Sequence, residues 1–207
     1  MLEVVTPAAA DARALASLDS VKADLRITVG TYDADLQRYI DEATAVLTRR
    51  ADRVWHSERV RETLRLDRCA GHLILSRRPV TQIHSITVAG DALTTDDYER
   101  DGRRLYRLSS DERREWDAQK TVVEYTGGYD LAPAASENLP PADLARACRE
   151  LVALRWFSSD RDPSLKAEEE EGIGRQEYWV GGVPSAGGDA DGLSPSMIDL
   201  CWHYRYE

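Results

Sequence analysis

The stretch that decides the fold is residues 122–156, "VVEYTGGYDLAPAASENLPPADLARACRELVALRW". Its first half is rich in β-branched and aromatic residues and ends in Gly127-Gly128, so it reads as a strand whose glycines let the chain leave a sheet with unusual backbone angles. Pro140-Pro141 then suits the entry to a helix. Leu144, Ala147, Cys148, Leu151, Val152 and Leu154 supply that helix with an apolar stripe, and Pro163 forbids its easy continuation. A sheet strand followed by a packing helix, with no long βαβ alternation around it, points to an α+β chain.

The same two periods recur upstream. Ser17 caps a short helix through Val21 and Leu25, with Asp19 favourably placed in its first turn. A second helix runs over about Asp33–Ala51. Its apolar positions Leu36, Tyr39, Ile40, Ala43, Val46 and Leu47 fall three and four apart, and Asp35, Arg38, Asp41, Glu42 and Arg49 take the opposite face. The period then changes to two. Val60, Leu64 and Leu66 alternate as in a half-buried strand, "HLILS" and "QIHSITVAG" follow, and Asp101-Gly102 between strand-like flanks signals a tight hairpin. Residues 58–126 are therefore expected to form a small antiparallel sheet. The stripe of Leu36, Ile40, Ala43 and Leu47 is expected to pack on Leu144, Leu151 and Leu154.

The ends of the chain read differently. Residues 1–16 are Ala-rich and unpatterned, and are expected as a loose arm. Beyond Pro163 come a glutamate run, a lone strand "QEYWV", a Gly-rich stretch and a last short helix starting at Ser194-Pro195. The expected organisation is an arm over 1–16, a core over 17–162 in which a helical bundle packs with the sheet, and an extended C-terminal arm over 163–207.

Composition limits the function. The chain has 207 residues, and hydrophobic residues make up 42% of them, enough for a core. Asp and Glu number 37 against 27 Lys and Arg, a net charge of −10, which repels nucleic acid unless a local basic patch overrides it. Cys69, Cys148 and Cys201 lie far apart with no C-x-x-C pair, so reduced thiols are expected. There is no apolar run long enough to span a bilayer, and the N-terminus lacks the basic start and apolar stretch of a signal peptide.

A search for chemistry finds no anchor. His56, His72, His84 and His203 are scattered, none at the i, i+4 spacing of a helical zinc pair, and ordinary sheet positions account for His72 and His84. Asp96-Asp97 and Glu168, Glu169, Glu170 and Glu171 are adjacent in sequence, but acid–base work needs acids that converge in a pocket with split pKa values. The glutamates read most simply as a solvated surface. No G-x-S-x-G elbow or P-loop is present, and "GIGRQE" lacks the third glycine and the strand–helix context of a dinucleotide loop. The first two helices could be called helix-turn-helix. However, Asp33, Asp35, Asp41 and Glu42 on the second helix disfavour contact with phosphates. No catalytic residue, metal ligand or cofactor site is expected.

The order of elements carries more than any one motif. "SLDSVKADLRI", "DADLQRYIDEATAVLTRRADR", "LILSRRPVTQIHSITVAGDALTTDDYERDGRRLY", "VVEYTGGYD…LPPADLARACRELVALRWF" and "GLSPSMIDLCWHYR" follow one another. As an ordered set they resemble the head–tail connector, or adaptor, family of tailed bacteriophages and gene transfer agents, over roughly residues 17–160 and the last helix. The resemblance implies a non-enzymatic structural protein of a virion or phage-like particle, assembled in the bacterial cytoplasm. It implies a homo-oligomeric ring of roughly a dozen copies at the neck, with closed cyclic symmetry. The ring would sit beneath the portal protein, meet stopper or tail-terminator proteins, and pass DNA through its lumen without specific binding and without contact with a membrane. Within that frame Trp179, Trp202, Tyr204 and Tyr206 are candidate partner-docking aromatics, since aromatic residues are enriched at interfaces. Glu168–Glu171 are candidates for the lumen wall. The alternatives are another non-catalytic capsid or tail accessory protein, or a metal-dependent hydrolase or nuclease using Asp96, Asp97 and the glutamate run.

Overall fold

The computed structural model describes residues 1–9, 12–131, 138–159, 167–170, 174–177 and 193–206. The chain is mixed α+β and divides into two compact units, one of Met1–Arg13 with Val54–Leu139, the other of Ala14–Arg53 with Pro140–Glu207. Each unit is built from two separated pieces of chain.

The first unit is made of antiparallel sheets. Strands β1 (Leu2–Thr6), β2 (Glu58–Arg65), β4 (Val80–Val88), β5 (Asp91–Ala92) and β9 (Lys120–Gly127) form one sheet in the order β1-β2-β9-β4-β5. Strands β3 (Leu73–Ile74), β6 (Tyr98–Asp101), β7 (Arg104–Ser109) and β8 (Glu112–Arg114) form a second, in which β7 lies between β3 and β6 and also pairs with β8. The single expected sheet is thus two. The expected hairpin at Asp101-Gly102 is present: Asp101 pairs with Arg104, and Gly102 turns the chain with φ +56°.

β9 is the centre of the larger sheet. Its register sets Tyr125 opposite Val60 on one side and Ile83 on the other. Val123 and Tyr125 enter a core with Val60, Leu73, Leu75, Val80, Ile86, Leu105 and Trp116. Trp116 is fully buried and its Nε1 donates to the Leu105 carbonyl at 2.9 Å, so its one polar atom is satisfied inside the core. At the end of β9 both glycines are required by geometry. A Cβ on Gly127 would stand 2.8 Å from Arg77 Cβ, and one on Gly128, which also has φ +113°, would overlap the His56 carbonyl oxygen.

Residues 2–6, expected within a loose arm, are an edge strand instead. β1 pairs with β2 through Leu2–Glu62, Glu3–Arg61 and Val4–Val60. All five of its side chains are exposed, so it is held by its backbone ladder and not by burial.

The second unit holds the helices α1 (Leu18–Leu25), α2 (Asp33–Ala51), α3 (Ala142–Ser158) and α4 (Pro195–Tyr206). Ser17 caps α1 as expected, its hydroxyl accepting from Ser20 N at 3.2 Å. α2 buries Leu36, Tyr39, Ile40, Ala43, Leu47 and Ala51 against α3 and α4. Each large aliphatic side chain so buried contributes about 1.5–3 kcal/mol, enough for a few of them to hold a helix pair. α3 contributes Leu144, Ala147, Cys148 and Val152. Leu154, expected in this stripe, is exposed, because two residues beyond Val152 lies about 200° further round an α-helix. Burial raises the Cys148 thiol to about 11, against a hydrogen bond from Thr44 that works the other way. Within this unit Ala167–Glu170 (β10) and Gly174–Glu177 (β11) pair antiparallel. Of the expected strand "QEYWV", Gln176 and Glu177 pair with Glu168 and Ala167, and the rest lies outside the described residues.

Candidate functional site

The buried carboxylates of the first unit, Glu58, Glu62 and Glu124, fall on opposite faces of its larger sheet. On the inward face, Glu58 and Glu62 flank Val60 along β2, and both are buried. Glu62 accepts from Ser76 N at 3.0 Å, from Ser76 Oγ, and from Tyr125 Oη at 2.7 Å. Tyr125 Oη in turn accepts from Arg77 N at 2.9 Å. Glu58 receives the Arg77 guanidinium at 2.8 Å, His56 Nε2 at 3.0 Å and Ala8 N at 3.3 Å. The network ties β2, β9 and the 75–79 turn together through charge-assisted hydrogen bonds.

Burial pushes the Tyr125 phenol well above its ordinary range, so it remains a neutral donor. Burial also lowers the His56 imidazole below its ordinary value, and this outweighs the opposing pull of Glu58. On the outward face Glu124 takes Arg59 at 2.6 Å and Arg61 at 3.0 Å, while Arg61 also faces Glu3 at 3.8 Å. Burial alone would raise the Glu124 carboxyl. The hydrogen bonds from Arg61 and Arg59 outweigh it and hold the group below its ordinary value.

These carboxylates escaped the sequence reading, although a signal existed. Glu58 and Glu62 share the period-two face of Val60 and Leu64, so they were bound to point inward with them. Asp96 and Asp97, by contrast, close a 3-10 turn. Thr94 N and Oγ1 both donate to Asp97 Oδ2 at 2.8 Å, which lowers that carboxyl and makes the residue a cap. His72 stacks near Tyr106 and His84 Nε2 meets Thr126 Oγ1 at 2.8 Å, both ordinary sheet contacts. Among the described residues no group of three or more His, Cys, Asp or Glu is placed to hold a metal ion, and no helix is long and apolar enough to cross a membrane.

The docking aromatics come out in an unexpected order. Tyr204 is buried, and its hydroxyl donates to Asp143 Oδ1 at 2.9 Å within its own unit. It packs α4 together with Leu193, Met197 and Cys201. The 3.6-residue period that buries Met197 and Cys201 carries Tyr204, expected as a docking residue, into its own unit and turns Trp202 outward. Trp202 is 45% exposed, with the Arg205 guanidinium 5.6 Å from its ring centre. Trp179, Glu171 and the Tyr206 side chain lie outside the described residues. Glu168, Glu169 and Glu170 are placed only as backbone of β10. A second apolar surface was not anticipated. Tyr32 and Trp156 meet edge to face at 5.1 Å, and Phe157 beyond them is 73% exposed.

No protein-family model and no curated protein matches the chain. Solved structures do. The chain is similar in fold to proteins of gene transfer agent particles. A chain in the virion of a native gene transfer agent particle matches with a TM-score of 0.56 and 16% identity, over 97% of this chain and 94% of that chain. One in the neck of the native particle, computed with C12 symmetry, matches with a TM-score of 0.53 and 17% identity over the same shares. One in the neck of the empty particle, computed with C6 symmetry, matches with a TM-score of 0.52 and 21% identity, over 76% of this chain and 84% of that chain. At such identities the likeness is one of fold.

Proposed function

We propose that the chain is a structural subunit of the neck of a phage-like particle: a head–tail connector, or adaptor. In this reading copies of it form a ring beneath the portal, join capsid to tail, and let DNA pass. One observation carries the proposal. Nearly the whole chain, not an isolated segment, shares its fold with a chain from a gene transfer agent neck of twelvefold symmetry. The ordered sequence elements point the same way independently.

The charge suits the role. A net charge of −10 disfavours tight contact with DNA, and a conduit wall that bound phosphates would stall passage. Glu168–Glu171 are proposed to contribute to that wall. Trp202, the exposed aromatic of α4, is proposed to dock on the portal or an adjoining neck protein. The role asks for no catalytic group, metal or cofactor.

The test is electron microscopy of the purified chain mixed with portal-bearing heads. A closed ring of added density below the portal is the expected result. Heads that stay bare while the chain remains dispersed overturn the proposal.

A further inference from the structure

The N-terminal strand has an unusual standing in its unit. β1 completes the sheet of the first unit, yet the chain that follows Arg13 belongs to the second unit and returns only at Val54. The chain thus reaches β2 from β1 only by way of the second unit, and no hairpin holds the two strands together. The contacts that hold β1 are of one kind. The ladder runs Leu2–Glu62, Glu3–Arg61, Val4–Val60 and Thr6–Arg59, with Thr63 N donating to the Met1 carbonyl at 2.8 Å and Ala8 N donating to the buried Glu58 at 3.3 Å. No β1 side chain is buried. Lifting the strand uncovers the β2 edge and deprives Glu58 of one donor, so the edge needs a cover. It does not need this particular copy of it.

We propose that β1 is an exchangeable strand, and that the β2 edge accepts residues 2–6 of a second copy of this chain in the register seen within one copy. The occupant is fixed by the contact itself. The same sequence fits with the same backbone ladder and the same pairing of Glu3 with Arg61, which lie 3.8 Å apart here. Exchange between identical chains neither gains nor loses a ladder contact, as in domain swapping. Its extent is then set by concentration. The tether from β1 to β2 runs through residues 7–13 and the second unit; taking about 1 mM as the effective concentration at which it presents the strand to its own sheet, exchange is negligible near 1 µM and reaches about half at 1 mM. A ring of copies held side by side would supply such a concentration, but the exchange does not depend on the function proposed above.

The experiment uses the full chain with the exposed Cys69 replaced by Ser. One variant carries Glu3→Cys, a second Arg61→Cys, and a third both; these positions face each other in the ladder, and Arg59 still serves Glu124 where Arg61 is replaced. Under mild oxidation the double variant closes within one chain at 1 µM. Between 1 µM and 1 mM its covalent multimers are expected to rise at least a hundredfold on non-reducing gels. Mixing the two single variants is expected to give a mixed disulfide with the same concentration dependence. A Glu3→Cys chain mixed with an off-register Arg65→Cys chain should give little. If the double variant closes only within one chain at every concentration, exchange does not occur and the proposal fails. If it does not close at all, β1 does not hold this register and the proposal fails as well.

Discussion

Replacing Tyr125 by Phe tests whether the buried network holds the first unit together. The substitution removes one oxygen from a side chain with no solvent exposure and leaves its ring in place. Two bonds go with it: the donation to Glu62 Oε2 at 2.7 Å and the acceptance from Arg77 N at 2.9 Å. Hydrogen bonds to charged groups contribute about 1.5–3 kcal/mol, and a stranded buried donor costs about 1–3 kcal/mol. Ser76 still serves the Glu62 carboxylate, so the two losses do not add in full. The expected destabilisation is about 2–4 kcal/mol, which accelerates amide exchange through opening of the first unit by about thirtyfold to a thousandfold. Hydrogen exchange by mass spectrometry reads β2 and β9 directly and separates them from the helices. A cycle with Glu62→Gln should give a coupling of about 1–3 kcal/mol between the two sites. A change below about 0.5 kcal/mol, or acceleration in α2 as large as in β9, would refute the reasoning, since this network is internal to one unit.

Three further outcomes are expected. First, the first unit should lose stability on the acid side in two stages. His56 has a folded pKa below its ordinary 6.5, so its contribution is complete above that value and is lost as pH falls through the folded one. Glu124, held below its ordinary 4.5, behaves alike at lower pH. Melting curves from pH 7 to 3 should show both stages, and His56→Gln should remove the first. Second, Gly128→Ala should abolish soluble expression, because its Cβ meets the backbone of His56. Gly102→Ala has open space and a positive φ alone to contend with, and should cost about 1–2 kcal/mol by denaturant titration. Third, Tyr204→Phe should lower the stability of the second unit by about 1 kcal/mol through the lost bond to Asp143. Trp202→Ala should leave its melting temperature unchanged and, if the docking proposal holds, reduce binding to portal-bearing heads.

The helices were legible because burial on a helix is periodic. Leu36, Ile40, Ala43 and Leu47 announce one face, and the structure buries that face. Ser17 was legible for a local reason, since a cap depends only on its next three residues. β1 was not. Nothing within residues 2–6 is buried, so no alternation marks the strand, and its partner is more than fifty residues away. Glu58 and Glu62 were missed because a charged residue reads as solvent-facing unless its strand neighbours are followed. Tyr204 and Trp202 were read alike for want of a phase: counted from Met197 and Cys201 the helix turns the tyrosine in and the tryptophan out.

The buried carboxylates also bear on what kind of protein this fold supports. A general base or a metal ligand must keep a lone pair directed at water, substrate or ion. Glu62 directs its oxygens at Ser76 and Tyr125, Glu58 at Arg77, His56 and Ala8, and Glu124 at Arg59 and Arg61. Each is engaged by donors from its own unit. Removing one partner from such a set destabilises strongly, because it leaves a charge buried and unpaired. The same arrangement resists shear, since sliding β2 past β9 by one residue would break the Glu62–Tyr125 bond and the Glu124 bonds to Arg59 and Arg61 together and turn the inward glutamates outward. It also explains why charged residues occupy positions on β2 that Val or Leu could fill: aliphatic side chains would bury as well, but they would not forbid the slip.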